Sequence, residues 1–268
     1  MIPRLSYFRR RWGEGQMAEL PVQHAIMVLA IEGFGAHDAY HQASLRSELL
    51  AVAESAARDV SGLRWDDFRL VDRDDGSLML ILPALSPVVK LAGPFIGNLN
   101  RRLMEGAPGA SPVSPMRLRA ALHLGPAGLA AQGWSGAGID LAARLIDAEP
   151  VGLALRAATR ARLAFIVSDE THESVIRHEY RLIDAAAYAA VRFDAGGFSG
   201  IKGWITVPGY SAPPGIARDQ APSAAGAGPE RGHPATGHTG PYVAAQTVQG
   251  NVIGVQNNTF NNPGSVHL

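Results

Sequence analysis

The sequence predicts an α+β fold, a sheet covered by helices, followed by a disordered linker and tail. Three observations predict it. Apolar runs without polar alternation recur between residues 22 and 208, and they alternate with segments of three-to-four-residue apolar spacing. Two β-rich runs flank a short Asp/Gly turn in the middle of this region. Proline and glycine then crowd the chain after residue 210. The hydrophobic share is 47% and the charged share 18% of 268 residues, so a core is affordable and wholesale disorder is excluded. Lys+Arg and Asp+Glu both number 24, which excludes a globally basic nucleic-acid binder and an acidic solvating protein. The lack of cysteine excludes a disulfide framework, a cysteine zinc site and a thiol nucleophile. No apolar run approaches the ~18 residues of a membrane span.

Each element follows from its pattern. Residues 1–20 form a basic arm with Arg4, Arg9, Arg10 and Arg11. No apolar run follows these charges, as a signal peptide requires, and Met17 offers a second start. His24–Ile31 is a continuous apolar run, the pattern of a strand buried on both faces. Leu45, Leu49, Val52, Ala53 and Ala56 mark a helix. Asp67–Val71 and Ser77–Leu82 pair as a hairpin around Asp72–Gly76. Pro87–Met104 reads as a helix kinked at Pro94 and ended by Gly106–Gly109. Met116–Leu124 is a strand with Leu118, Ala120, Leu122 and Leu124 on one face and Arg117, Arg119 and His123 on the other. Helices follow at Ile139–Ala148 and Val151–Arg160, then a short strand at Ala164–Val167. Ser168 caps a helix reaching His178, with Asp169 and Glu170 in its first turn. Val191–Phe193 and Trp204–Val207 close the sheet.

Four stretches in this order carry a family resemblance. They are Leu29-Ala30-Ile31-Glu32-Gly33-Phe34, Asp72-Arg73-Asp74-Asp75-Gly76-Ser77, Arg119-Ala120-Ala121-Leu122-His123-Leu124-Gly125, and Gly136-Ala137-Gly138-Ile139-Asp140-Leu141-Ala142-Ala143-Arg144-Leu145. Residues 22–208 resemble the class III nucleotidyl cyclase homology domain, nearest to compact bacterial members that include makers of cyclic pyrimidine nucleotides. The resemblance implies a ferredoxin-like βαββαβ core and a homodimer with sites at its interface. It also implies attack of a ribose 3′-hydroxyl on the α-phosphorus of a nucleoside triphosphate. Two Mg or Mn ions held by facing carboxylates would activate the hydroxyl, and an arginine would stabilise the transferring phosphorus.

Carried over residue by residue, the resemblance implies a degenerate site. The first metal aspartate falls at Ala30, whose methyl group cannot coordinate a cation. The second falls at Asp75, with Asp72 and Asp74 nearby. The transition-state arginine falls at Arg144, and the asparagine beside ribose at Asp140. The two base-reading positions are Val71 and Gly133, which cannot hydrogen-bond a base through their side chains. Glu32, two residues from Ala30 and on its strand face, is a candidate substitute metal carboxylate. His37 and Asp38 lie in the next loop. Without the resemblance, the aspartate cluster reads as a solvated turn and Arg144 as an exposed helix residue.

Other enzyme chemistry is poorly supported. His172 and His178 are six apart on one expected helix, and His37 and His41 lack the glutamate of a helical zinc motif. Both pairs read as surface or loop histidines. There is no G-x-S-x-G elbow and no phosphate-binding G-x-x-x-x-G-K-[ST] loop.

Residues 211–243 read as a Pro/Gly/Ala-rich linker. Residues 232–268 contain no Asp, Glu, Lys or Arg. Within them, 244–263 combine Val248, Val252, Ile253, Val255 and Phe260 with Gln and Asn and no internal proline until Pro263, a cross-β composition. Val-Gln-Gly-Asn and Val-Gln-Asn-Asn resemble arms of the amyloid-like signalling motifs at the termini of bacterial immune proteins. That resemblance implies an antiphage-type signalling protein recruiting an effector with a similar tail. The alternatives are a polar disordered tail and a strand added to the body sheet. The expected setting is cytoplasmic, with no membrane or nucleic-acid partner. The competing functions are thus a nucleotide- or partner-sensing adaptor, an active cyclase using Glu32, and a plain structural dimer.

Overall fold

The computed structural model describes residues 20–83, 88–106, 116–180 and 182–217. Nearly all of the expected basic arm, most of the linker and the whole tail motif lie outside the described residues.

The body is a mixed sheet with helices on both faces. Its strands are β1 (Val22–Ile31), β2 (Arg69–Asp72), β3 (Ser77–Pro83), β4 (Leu118–Ala130), β5 (Gly133–Ser135), β6 (Leu163–Ser168), β7 (Ala189–Ala195) and β8 (Phe198–Thr206). Its helices are α1 (Ala39–Arg58), α2 (Val88–Lys90), α3 (Ile96–Glu105), α4 (Ala137–Ile146), α5 (Glu149–Ala157) and α6 (Asp169–Ser174). The strand order is β2-β3-β1-β4-β6-β8-β7, with β5 pairing β4 off this path. The first four strands are antiparallel neighbours in the order β2-β3-β1-β4. That order is the βαββαβ, ferredoxin-like arrangement the sequence predicts. β6 adds parallel to β4, and the β7–β8 hairpin completes the sheet.

The continuous apolar run of β1 follows from its central place, because alternate side chains feed two cores. Ala25, Met27 and Leu29 join Leu80, Leu122 and Phe165 beneath α1 and α3. Ile26, Val28 and Ala30 join Ile81, Ala121 and Ile166 beneath α4 and α5. His123 is buried with the second set at 5% exposure, so β4 has no solvent face at that point. The Met116–Leu124 strand is thus longer than expected and covered on both sides.

Two helices depart from expectation. Pro94 lies inside a segment that is not one continuous α-helix. It sits in a π-helical turn, Leu91–Phe95, between α2 and α3. The wider turn accommodates the missing N–H and the ring, while Phe95 stays fully buried. Ser168 caps α6 as expected, accepting from the Thr171 amide. That helix ends at Ser174, and Ile176–His178 is a separate 3-10 turn. His172 and His178 therefore do not share one helix.

Candidate functional site

The end of β1 and the β2–β3 turn are locked together. The Ile31 amide donates to the Gly76 carbonyl at 3.2 Å. A Cβ at Gly76 would lie 2.2 Å from the Phe34 ring, so the aromatic residue after β1 packs on the turn's bare backbone. Gly76 also has φ +82, a conformation that favours glycine. Arg46 of α1 spans this contact. Its guanidinium lies 5.0 Å over Phe34 and donates to the Asp74 carbonyl at 2.6 Å.

Asp75 projects from this pinned turn with about half its side chain exposed (52%). Its Oδ1 accepts from the Ser77 amide at 2.9 Å and the Ser77 hydroxyl at 2.5 Å. Its Oδ2 lies 3.3 Å from Arg73. Partial burial works against its charge, but the two Ser77 donors and Arg73 prevail and hold the carboxyl below its ordinary value. Ala30 is the register partner of both Ser77 on β3 and Arg119 on β4. Its methyl group is buried at 6% exposure and belongs to the second core.

Glu32, the substitute carboxylate, is already engaged. One oxygen lies 3.1 Å from Nε of Arg119 and the other 3.5 Å from Arg156. Arg119 also donates to the Ile146 carbonyl at the end of α4, at 3.0 Å. Arg119, the β4 register partner of Ala30, thus has its guanidinium between Glu32 and the Ile146 carbonyl. Asp147, which the sequence reading missed, follows α4 here. Desolvation raises its carboxyl above the ordinary value, Arg119 and Arg73 oppose this, and the charge of Asp75 adds to it. No cluster of three or more His, Asp or Glu side chains suited to a metal ion occurs among the described residues. These residues do not fit a two-cation centre.

α4 carries the other two carried-over positions. Its start lies against β4 because two glycines allow the backbones to touch. A Cβ on Gly138 would lie 2.8 Å from the Gly125 carbonyl carbon, and one on Gly125 would lie 2.2 Å from His123 Nε2. His123 in turn meets the Ser168 hydroxyl at 2.8 Å through Nδ1, and Ser168 meets Thr171 at 3.0 Å. Burial pushes this imidazole below its ordinary value, against the pull of Glu170. The histidine therefore serves as a neutral internal tie between β4, β6 and α6. Asp140 is exposed on the first turn of α4. Arg144, in its last turn, rests 4.0 Å from the ring centroid of Phe198 on β8.

The base-reading positions stay apolar. Val71 is half-buried against the second core, and Gly133 opens β5 with φ +117. His37 and His41 are exposed, and His41 pairs with Asp38 at 2.8 Å. His172 departs from the surface reading. It is 7% exposed and stacks on Trp204 at 3.6 Å and 5°.

This chain is similar to solved cyclase catalytic domains. One is the catalytic core of a rhodopsin-guanylyl cyclase with converted specificity, in complex with ATPαS. It shares 12% identity over 72% of this chain and 99% of that one, with TM-score 0.48. Another is the guanylate cyclase domain of RhGC from Catenaria anguillulae with GTP, at 14% identity over 69% and 96%, TM-score 0.46. A third is the adenylate/guanylate cyclase/hydrolase from Silicibacter pomeroyi, at 15% identity over 71% and 99%, TM-score 0.45. No family model and no curated protein matches the chain. The strand order of the body stands on its own hydrogen-bond ladders.

Proposed function

We propose that this chain is a signalling protein whose cyclase-like body binds a nucleoside triphosphate without cyclising it. The body would pair with a second copy, and the tail motif at 244–263 would assemble or recruit an effector. The observation that carries this reading is the state of the metal position. Ala30 offers no oxygen, and Glu32 is tied to Arg119 and Arg156. Freeing Glu32 for a cation would break two ion pairs and leave Arg119 facing that cation across a strand ladder. The group that would meet a nucleotide's phosphates survives: Arg144 in the last turn of α4.

The test is a pair of measurements on the same protein. Incubation with ATP, GTP, CTP or UTP and Mn²⁺ is expected to yield no cyclic mononucleotide by mass spectrometry. At least one of the four is expected to raise the thermal midpoint, with or without EDTA. A cyclic product would replace this reading with the active-cyclase one, with Asp75 and Glu32 as ligands. No shift with any nucleotide would leave a plain structural dimer.

A further inference from the structure

Arg144 differs from the arginines around it. Arg117 donates to the carbonyls of Leu155, Ala158 and Ala161. Arg119 and Arg156 hold Glu32. Arg144 makes no hydrogen bond or ion pair among the described residues, although it is half-buried. Its one specific contact is the ring of Phe198, 4.0 Å from Cζ. Beside it, the β7–β8 turn is bare backbone. A Cβ at Gly196, where φ is +57, would lie 3.2 Å from Arg144 Nε. Phe198 itself is 57% exposed on the hairpin and absent from both cores.

An arginine carries five donors in a planar fork, and its face stacks on aromatic rings. A ring on that face orients the fork without consuming a donor. A long side chain so oriented loses less freedom when it meets an anion. The glycine turn leaves room for the guanidinium to lie there, and a Cβ at Gly196 would press on it.

We infer that Phe198 is a positioning residue, a shelf on the β7–β8 hairpin that holds the Arg144 guanidinium open for a phosphate group of the bound nucleotide. The inference rests on the nucleotide-binding reading above and extends it to the hairpin. The ligand class is a polyphosphate anion, so inorganic tripolyphosphate should share the dependence.

Calorimetric titration of the full chain with the four ribonucleoside triphosphates and with tripolyphosphate tests it. Phe198→Ala is expected to weaken binding about three- to tenfold, the scale of ordering one long side chain that the ring no longer orients. Phe198→Trp is expected to retain wild-type affinity. Phe198→Leu, which keeps apolar bulk without the ring face, should behave like the alanine variant. In an Arg144→Ala background, Phe198→Ala should produce no further loss. Unchanged unfolding midpoints would confirm that the body is intact. Wild-type binding that Phe198→Ala leaves unaltered, or losses that add in the double variant, would overturn the shelf while sparing the nucleotide reading. A wild-type protein that binds none of these anions would overturn both.

Discussion

At the scale of single residues, the ionisable groups divide into ties and candidates for ligand contact. Glu32 is a tie: its side chain is 23% exposed and ion-paired with two arginines. Glu32→Gln should destabilise the body by about 1–3 kcal/mol, because Arg119 would lose its counter-charge in a partly buried place. Urea unfolding checks this, and an unchanged midpoint would mean the pair is energetically idle. Buried His123 and His172 give a pH dependence of definite sign. Burial pushes both imidazoles below the ordinary value of 6.5. Well above that value both folded and unfolded chains are neutral there, and these groups contribute nothing to the slope. As pH falls through about 6.5 the unfolded chain takes up protons first, and stability drops until the folded groups titrate too. The urea midpoint should therefore be flat from about pH 8 to 7.5 and fall toward about pH 5.5. His123→Gln should make that slope shallower. Asp75 acts in a separate window. Its carboxyl lies below the ordinary 3.8, so its contribution is present above that value and disappears as pH falls further.

At the scale of elements, backbone contact decides how α4 sits. A Cβ on Gly138 would lie 2.8 Å from both the Gly125 carbonyl carbon and the Pro126 carbonyl oxygen. Gly138→Ala should cost about 1–3 kcal/mol, read as a lower thermal midpoint, because backbone on both sides has little room to yield. The glycines of the two motifs were visible in the sequence, and their packing is the physical reason for the spacing. β1 was equally legible, since a central strand must be apolar on both faces. β5 was not, because Gly133-Trp134-Ser135 is too short to show a period. The end of α6 was missed because the residues after Ser174 remain compatible with a helix. Only the Val175 backbone, at φ −130, breaks it.

At the scale of the whole molecule, the proposed function requires a second copy and an assembling tail. Sedimentation of the full chain is expected to show a dimer that nucleotide tightens, and a monomer at all concentrations would remove the composite site. The uncharged tail gives a second expectation. Full-length protein should form thioflavin-positive assemblies that Val252→Lys together with Val255→Lys abolishes, because like charges stacked every ~4.8 Å repel. Assemblies unaffected by the two lysines would place their origin elsewhere in the chain.

The amino-acid order alone determined the α+β class, the succession of strands and helices through the body, and the positions of Ala30, Asp75, Asp140 and Arg144. Apolar period and turn chemistry are local, and they survive in one dimension. The tertiary structure decided which charges meet. Glu32, Arg119 and Arg156 come from three separate elements, and Arg144 finds Phe198 across a sequence gap that no periodicity bridges. Whether a carboxylate is free for a cation or an arginine is held open depends on such through-space neighbours, because Coulomb and ring contacts act over a few ångströms of space, not along the chain.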